Sequence, residues 1–535
     1  MTTSSKTTGL RYWMLRVLEE CDRLGDQFGP DPVHDLRVSL RRCRSMADGL
    51  MVMDSDPGWK AMKKAGKRLF QRLGDLRDIQ VMMEWTGKLA PPEVNQADTG
   101  VERDPSAEPP AAESHVQGWQ ARFSSADPVA HSLMHILHRR EEEQKDEAGG
   151  ALEDFDRRQW KQWARSLPRR AARFRPGSAL FKHLALERWT GAYALHKLAM
   201  RSRSQTALHN TRIGIKRFRY IVENFLPAEH QAWSRDLKEM QDLLGEVHDL
   251  DVLWVTAVSA RVFPDPESRR RWRQKILEER NQHIDRYRQK MTGPGALWHV
   301  WRAALPHGRQ IQALATRRLK LWARSLDPDF AHSERVAAFA LQLHDGLHAA
   351  GFLRGIDGID PRPSLQAAAL LHDVGKARGI KGHHKASLEL IRSHGTPLGW
   401  NPGDLQRAAV VARFHCGALP RKSHKTIREL LPDEQKVTIQ LAAILRLANA
   451  FDASHDGHIR RVKVDTETER RSHANGLHNL TRKPVHQAVI IAAEGYTPTS
   501  STARTIAAER HLLETVLHRP VVVRAMARPA SRHAR

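Results

Sequence analysis

The chain has 535 residues and a net charge of +25, set by 86 Lys and Arg against 61 Asp and Glu. So basic a balance points to an anionic partner, whether a polyanion in solution, a nucleic acid or a membrane surface. No apolar run approaches the ~20 residues of a membrane span, no signal-peptide core follows the Ser/Thr-rich start, and Cys21, Cys43 and Cys416 show no paired spacing, so a cytoplasmic protein without disulfides and with at least two domains is expected.

Residues 10–90 read as helices, because apolar positions recur at intervals of three and four and β-branched residues are sparse. Within them lies a pattern of one histidine and three bases: His34, Arg37, Arg41 and Arg44. The same spacing returns 175 residues later as His209, Arg212, Lys216 and Arg219. On a helix these offsets span roughly 80° of arc and about 15 Å, so each copy is one basic stripe. Stacked like charges destabilise an isolated helix, and a polyanion that neutralises them explains the arrangement. A solvated helix face is the plain alternative, and it weakens with the second copy.

The duplication continues. Leu73-Gly74-Asp75-Leu76-Arg77-Asp78 parallels Leu244-Gly245-Glu246-Val247-His248-Asp249, and counting back from the glycines pairs Lys67 with Lys238 and Lys64 with Arg235. Self-similarity at a fixed offset marks a repeated structural unit. Each unit is expected to hold a basic helix, then a second basic helix closed by an LG-acidic-x-x-D turn. Residues 90–130, rich in Pro, Ala and acid, read as a flexible insertion, and helical patterning then runs to Met291.

At these points residues 10–291 resemble the CHAD domain, a histidine-containing α-helical domain of two similar halves around a basic channel. The resemblance implies inorganic polyphosphate as ligand, held by both stripes together with Lys64, Lys67, Arg235 and Lys238. RNA fits less well, because the interleaved aromatic platforms that bind single strands are missing and only Tyr220 ends a stripe.

Thr292-Gly293-Pro294-Gly295 is a boundary signal, and 292–312 reads as a linker. Residues 313–525 form a further block, helical to about 460. Val489-Ile490-Ile491-Ala492 and Val521-Val522-Val523 then read as strands flanking a helix near 502–517. Residues 526–535 are a basic tail. The chemistry sits in His332, the His372-Asp373 doublet, His383, His415 and Asp452. Imidazole and carboxylate are the ligands of borderline and hard cations. Adjacent His372 and Asp373 diverge by ~100° on a helix, meeting one ion from the helix end. A structural ion pair with a nearby Arg or Lys is the competing account. Lys376, Arg378, Arg413 and His384 are candidate phosphate contacts. Cys416, beside His415, offers a soft ligand but reads first as a small buried hydrophobe, and His394, His424, His455 and His458 read as surface or packing residues.

The order His332, His372-Asp373, Asp452 resembles the HD superfamily, named for its metal-binding doublet. Leu370–Ile391, the segment ending at His415 and Leu441–Ala448 are similar to the C-terminal HD domain of the exopolyphosphatase / guanosine pentaphosphate phosphohydrolase family. That family's actin-like ATPase-fold N-terminal domain is absent, so its polyphosphatase mechanism does not carry over. The resemblance implies a divalent metal ion (Mg, Mn, Fe or Zn), with His372 and Asp373 at its centre and His383 and His415 available for a second ion. The expected fold is mostly α: a two-fold repeated helical bundle, an HD-type helical domain and a small C-terminal β-α-β element. The expected function is polyphosphate binding with metal-dependent phosphohydrolase activity on polyphosphate or a phosphorylated nucleotide. The alternative is a non-catalytic polyphosphate-binding or granule-associated protein whose HD domain is a scaffold.

Overall fold

A computed structural model describes residues 9–25, 28–90, 127–202, 204–353, 359–465 and 488–526. The protein is mostly helical, with one three-stranded sheet. It divides into two compact units. One holds Asp56–Pro306 with the residues before Val52, and the other holds His307 onward with Val52–Ser55. The expected insertion at 90–130 and the basic tail at 526–535 lie largely outside the described residues.

The first unit repeats its pattern as its sequence does. The first stripe helix, Pro30–Leu50, begins on a proline with Asp31 in its first turn and buries Val33, Leu36, Leu40, Cys43 and Ala47 at helical spacing. The second, Gln205–Phe225, is capped by Ser204 and buries Leu208, Thr211, Ile215, Phe218 and Val222. In both, the bases fall on the remaining face. The segments around Gly74 and Gly245, expected as turns, are instead interior to the helices Lys67–Leu89 and Pro227–Ser259. The local signal misled because glycine usually breaks helices. Here each glycine lies under a stripe arginine. A Cβ on Gly74 would come within 3.8 Å of Arg37 Nη2, and one on Gly245 within 3.8 Å of Arg212 Nε.

Residues 292–312 hold the helix Leu297–Ala303, whose Trp298 and Trp301 are fully buried. Trp189 Nε1 donates to Trp298 O at 3.2 Å, which ties this helix into the first unit.

The second unit is built on three apolar helices. Pro361–Leu371, Pro402–Arg413 and Pro432–Phe451 contribute Leu365, Ala368, Leu371, Ala409, Ala412, Leu441, Ile444 and Ala448 to one core. The long helix Phe330–Ala349 packs against the helices Pro361–Leu371 and Pro432–Phe451. The sheet has the order β1 (Arg461–Asp465), β2 (Val489–Glu494), β3 (Val521–Ala525). β1 pairs antiparallel to β2 with Val462 opposite Ala493. β3 pairs parallel to β2 with Val521 opposite Val489, through the crossover helix Ser501–Leu517. β2, the helix and β3 are where the apolar pattern put them. β1 went unread, although its alternation of charged and buried residues is a strand signal.

Gly375 shows how tightly the centre of this unit is drawn. A Cβ there would stand 2.0 Å from His383 O and 2.6 Å from Ser387 N. Ser387 Oγ accepts from Gly375 N at 2.9 Å and donates to His372 O at 2.6 Å, locking the turn after the doublet onto the helix His383–His394. Gly375→Ala is therefore expected to cost at least about 1–3 kcal/mol by overpacking, read as a lower melting temperature of the metal-free chain.

Candidate functional site

The basic stripes converge. Lys216 is pushed down to about 7, mainly by burial and further by Arg212, Arg41 and Arg37. Two of those three charges come from the other stripe. Acids of the duplicated segment enter the same cluster. Burial pushes Asp249 up to about 6 even with Arg212 beside it, and raises Asp78 against the pull of Arg37 and Arg212. His248 falls to about 4 through burial and its neighbours Arg212 and His209. Arg37 Nη1 donates to Leu73 O and Gly74 O, each at 3.1 Å. Arg41 lies over the Tyr220 ring at 5.6 Å. Arg212 Nε and Tyr220 Oη are buried with no hydrogen-bond partner among the described residues, an arrangement that costs about 1–3 kcal/mol per group when nothing pairs with it.

The ends of the stripes are tied elsewhere. Arg44 Nη1 donates to Lys63 O at 3.1 Å, and Arg219 pairs with Glu223 at 3.7 Å. His34 is exposed, and His209 Nδ1 sits 3.4 Å from His248 Nδ1. Lys64, Lys67, Arg235 and Lys238 are exposed, and Lys238 pairs with Asp242 at 3.0 Å. Thus Arg37, Arg41, Arg212 and Lys216 form the convergent core, and the outer four lysines and arginines do not enter it.

In the second unit, the helix Pro361–Leu371 ends at His372, and Asp373 opens the 3-10 turn Val374–Arg378. Both are buried. Gly382, in the left-handed region at φ 78°, turns the chain into the helix that begins at His383. The helix Pro402–Arg413 delivers His415 just past its end.

Three imidazoles are held in one tautomer by the same device. His372 Nδ1 bonds Ala369 O at 2.7 Å, His383 Nδ1 bonds Ile380 O at 2.8 Å, and His415 Nδ1 bonds Ala412 O at 2.7 Å. Each Nδ1–H donates to the carbonyl three residues back, so each Nε2 is left as the basic atom. The three Nε2 atoms surround one carboxylate. Asp373 Oδ1 lies 3.3 Å from His383 Nε2 and 3.6 Å from His415 Nε2, and Oδ2 lies 3.4 Å from His372 Nε2. His383 Nε2 and His415 Nε2 face each other at 3.1 Å. Two lone pairs at that distance repel unless a cation sits between them.

The electrostatics show the same demand. Burial alone would raise the Asp373 carboxyl, but His372, His383 and His415 outweigh it and hold it well below the carboxylate range. His383 rises to about 10 through its bond to Asp373. His415 falls well below 6.5, mainly by burial and then by His372. A proton on His383 thus supplies the cation that a metal would replace. His372 Nε2 is buried and makes no hydrogen bond among the described residues. Orientation of histidine ligands by an Nδ1–H bond is the usual second shell of a metal centre, and the donor set fits a divalent ion.

His332 stands at the edge of this group. His332, His372 and Asp373 have ligand atoms within 4.8 Å of one another. Asp452 adjoins the group through His332, with His332 Nδ1 and Asp452 Oδ2 2.7 Å apart. Arg335 Nη2 also lies 2.7 Å from Asp452 Oδ2, and Lys376 Nζ lies 2.5 Å from Asp373 Oδ2. The competing ion pairs are therefore present beside the metal-type geometry. Arg378 pairs with Glu389 at 2.9 Å. Arg413 Nη1 is buried without a hydrogen bond among the described residues, its guanidinium 5.2 Å over Phe414.

Two participants, Asn449 and Arg446, went unread in the sequence, and two more, Cys416 and His455, were weighed there and set aside. Cys416 Sγ lies 3.8 Å from His383 Nε2. His455 stacks on His332 at 3.9 Å and bonds Asp329, which caps the His332 helix. Asn449 Oδ1 lies 2.9 Å from His332 Nε2. Arg446 Nη1 donates to Phe414 O and Gly417 O, each at 3.2 Å, and so grips the segment carrying His415, while its Nε bonds Glu509 at 2.7 Å. Of these, Asn449 and Arg446 lie at helical spacing on the helix leading to Asp452, and Cys416 adjoins His415. Those were the available signals.

Comparison with known proteins gives two matches along the chain. Residues 14–258 match the family model of the CHAD domain, and residues 316–481 match that of the Ppx/GppA phosphatase, domain III. No curated protein matches the chain. Among solved structures, the crystal structure of the CHAD domain from the plant Ricinus communis is similar over 56% of this chain and 90% of that one, at 19% identity and a TM-score of 0.34. The chain thus joins a CHAD domain at residues 14–258 to a Ppx/GppA phosphatase domain III at residues 316–481.

Proposed function

We propose that this protein binds polyphosphate through its first unit and hydrolyses a phosphoanhydride, in polyphosphate or a phosphorylated nucleotide, at a metal centre in its second. The observation that carries the reading is the common tautomer of His372, His383 and His415, whose Nε2 atoms meet around buried Asp373. His332 completes the donor set, and Asp452 orients His332. When bound, a divalent ion supplies a polarised phosphoryl oxygen and a water of lowered pKa. Lys376, which pairs with Asp373, would be free to neutralise a phosphate oxygen if that carboxylate held a metal. His384 and Arg413 offer further contacts. Arg37, Arg41, Arg212 and Lys216 grip the polyanion, whose charge relieves their mutual repulsion.

A second reading keeps the polyphosphate binding and assigns the second unit no chemistry. It is favoured by Lys376 on Asp373 and Arg335 on Asp452, since each cation already neutralises a carboxylate. Asp373→Ala separates the two. On the first reading it abolishes divalent-metal content and phosphate release while leaving polyphosphate affinity unchanged. Wild-type protein that takes up no divalent ion under any loading condition leaves the binding-protein reading in its place.

The basic cluster makes its own predictions. Replacing Arg41, Arg212 and Lys216 by Gln is expected to lower the slope of log affinity against log salt by roughly one per residue. The same changes at Lys64, Lys67 and Arg235 are expected to have a smaller effect. Equal losses for both sets would mean that only net charge matters.

Lys216 adds a proton signature. Its value of about 7 in the free protein must rise when a polyanion binds. Binding therefore takes up a proton above pH 7. The Lys216 contribution to affinity is flat below pH 7 and falls, by up to tenfold per pH unit, until the bound-state value is passed. Calorimetry at pH 8 in buffers of different ionisation enthalpy is expected to detect this uptake in the wild type and to find it gone in Lys216→Gln.

A further inference from the structure

The metal-centre reading leaves one thiol unassigned. Of the three cysteines, Cys21 and Cys43 are buried, and burial pushes the Cys21 thiol up to about 12. Cys416 is half-exposed and directly follows His415. Its Sγ, His383 Nε2 and His415 Nε2 all lie within 4.8 Å of one another.

Resting on that reading, we propose that Cys416 is itself a metal ligand. With Asp373 Oδ1, His383 Nε2 and His415 Nε2 it forms a four-coordinate site that selects a borderline-soft ion, of the zinc, cobalt or iron(II) kind, over magnesium.

The distances carry the argument. Metal–nitrogen bonds of about 2.05 Å and a metal–sulfur bond of about 2.3 Å at tetrahedral angles put two nitrogens about 3.3 Å apart and a nitrogen and a sulfur about 3.6 Å apart. The two imidazole nitrogens stand 3.1 Å apart, and the sulfur 3.8 Å from His383 Nε2. A carboxylate oxygen belongs about 3.4 Å from each nitrogen, and Asp373 Oδ1 stands at 3.3 and 3.6 Å. Four of the six spacings of one tetrahedron, the nitrogen–nitrogen edge, both oxygen–nitrogen edges and the sulfur–His383 edge, are thus close to those values before any ion is added.

The neighbourhood keeps the sulfur there. Arg446 holds Phe414 O and Gly417 O, the carbonyls on either side of the His415-Cys416 pair, at 3.2 Å each. Arg446 is a positioning residue, since it touches no ligand atom. The other imidazole–carboxylate group, His332, His372 and Asp373, contains no sulfur. The two halves of the centre therefore differ in softness, with Asp373 shared between them. Thiolate and imidazole favour zinc-like ions, whereas magnesium prefers all-oxygen surroundings. Binding converts the thiol to a metal thiolate and releases its proton to solvent, so affinity for the soft ion rises with pH.

The test uses the full chain, stripped of metal and titrated with cobalt(II). A near-ultraviolet thiolate-to-cobalt charge-transfer band in the wild type, absent in a Cys416→Ser variant that still binds cobalt, supports the proposal. Zinc affinity is expected to fall by at least about tenfold in that variant, the scale of losses seen when a metal's immediate support is removed, while magnesium affinity stays the same. A second measurement needs no variant. Alkylation of Cys416 in the wild type is expected to be blocked by zinc and unaffected by magnesium. Cobalt binding without the band, or zinc binding that leaves Cys416 open to alkylation, overturns the role of Cys416 and leaves the metal centre standing. No binding of cobalt or zinc at all overturns both.

Discussion

The second unit is organised by the compensation of one buried carboxylate. Asp373 is 3% exposed and sits in a core of Ala, Leu and Val. An uncompensated ion in such a place costs several kcal/mol. The chain surrounds it with three imidazoles, a lysine and a 3-10 turn pinned by Ser387. Each of those contacts constrains another element. His383 requires the left-handed Gly382, the turn requires the missing Cβ of Gly375, and His415 requires the helix end that Arg446 holds. The geometry of the centre is thus a consequence of paying for one charge.

The first unit solves the opposite problem. Its cluster carries an excess of positive charge, and the acids nearby, Asp78 and Asp249, are too few and too buried to cancel it. Duplication explains how such a site is built. Two copies of one helix pair each place an arginine over a glycine, so the same local solution is used on both sides. Arg212 Nε, without a hydrogen-bond partner among the described residues, and the depressed Lys216 are the least compensated groups of the cluster.

Much of this was legible from spacing alone. The stripes, the doublet and the last two strands are local patterns, fixed by 3.6- or 2-residue periodicity or by adjacency. What escaped depends on distant residues meeting. Gly74 and Gly245 looked like turn formers because the arginines that cover them come from another helix. Trp298 and Trp301 looked like part of a linker because their partners, Trp189 for the first and Phe218 for the second, lie far earlier in the chain. Cys416 offered a soft ligand but looked first like a small hydrophobe, because the imidazole it meets, His383, stands thirty-three residues before it. Asp452 was read as a ligand of the group, yet its shortest contacts are with His332 and Arg335. Of His394, His424, His455 and His458, set aside as ordinary, His455 alone stacks on His332.

One contact ties the order of synthesis to the finished centre. Glu509, on the crossover helix between β2 and β3, bonds the Arg446 that grips the segment bearing His415. That glutamate is translated some ninety residues after His415. While the nascent chain is still short of it, Arg446 has only the carbonyls of Phe414 and Gly417 to hold it. The full clamp on the His415 segment therefore exists only once the crossover helix has formed. A chain stalled before that point would carry the histidines without the Glu509 end of the clamp.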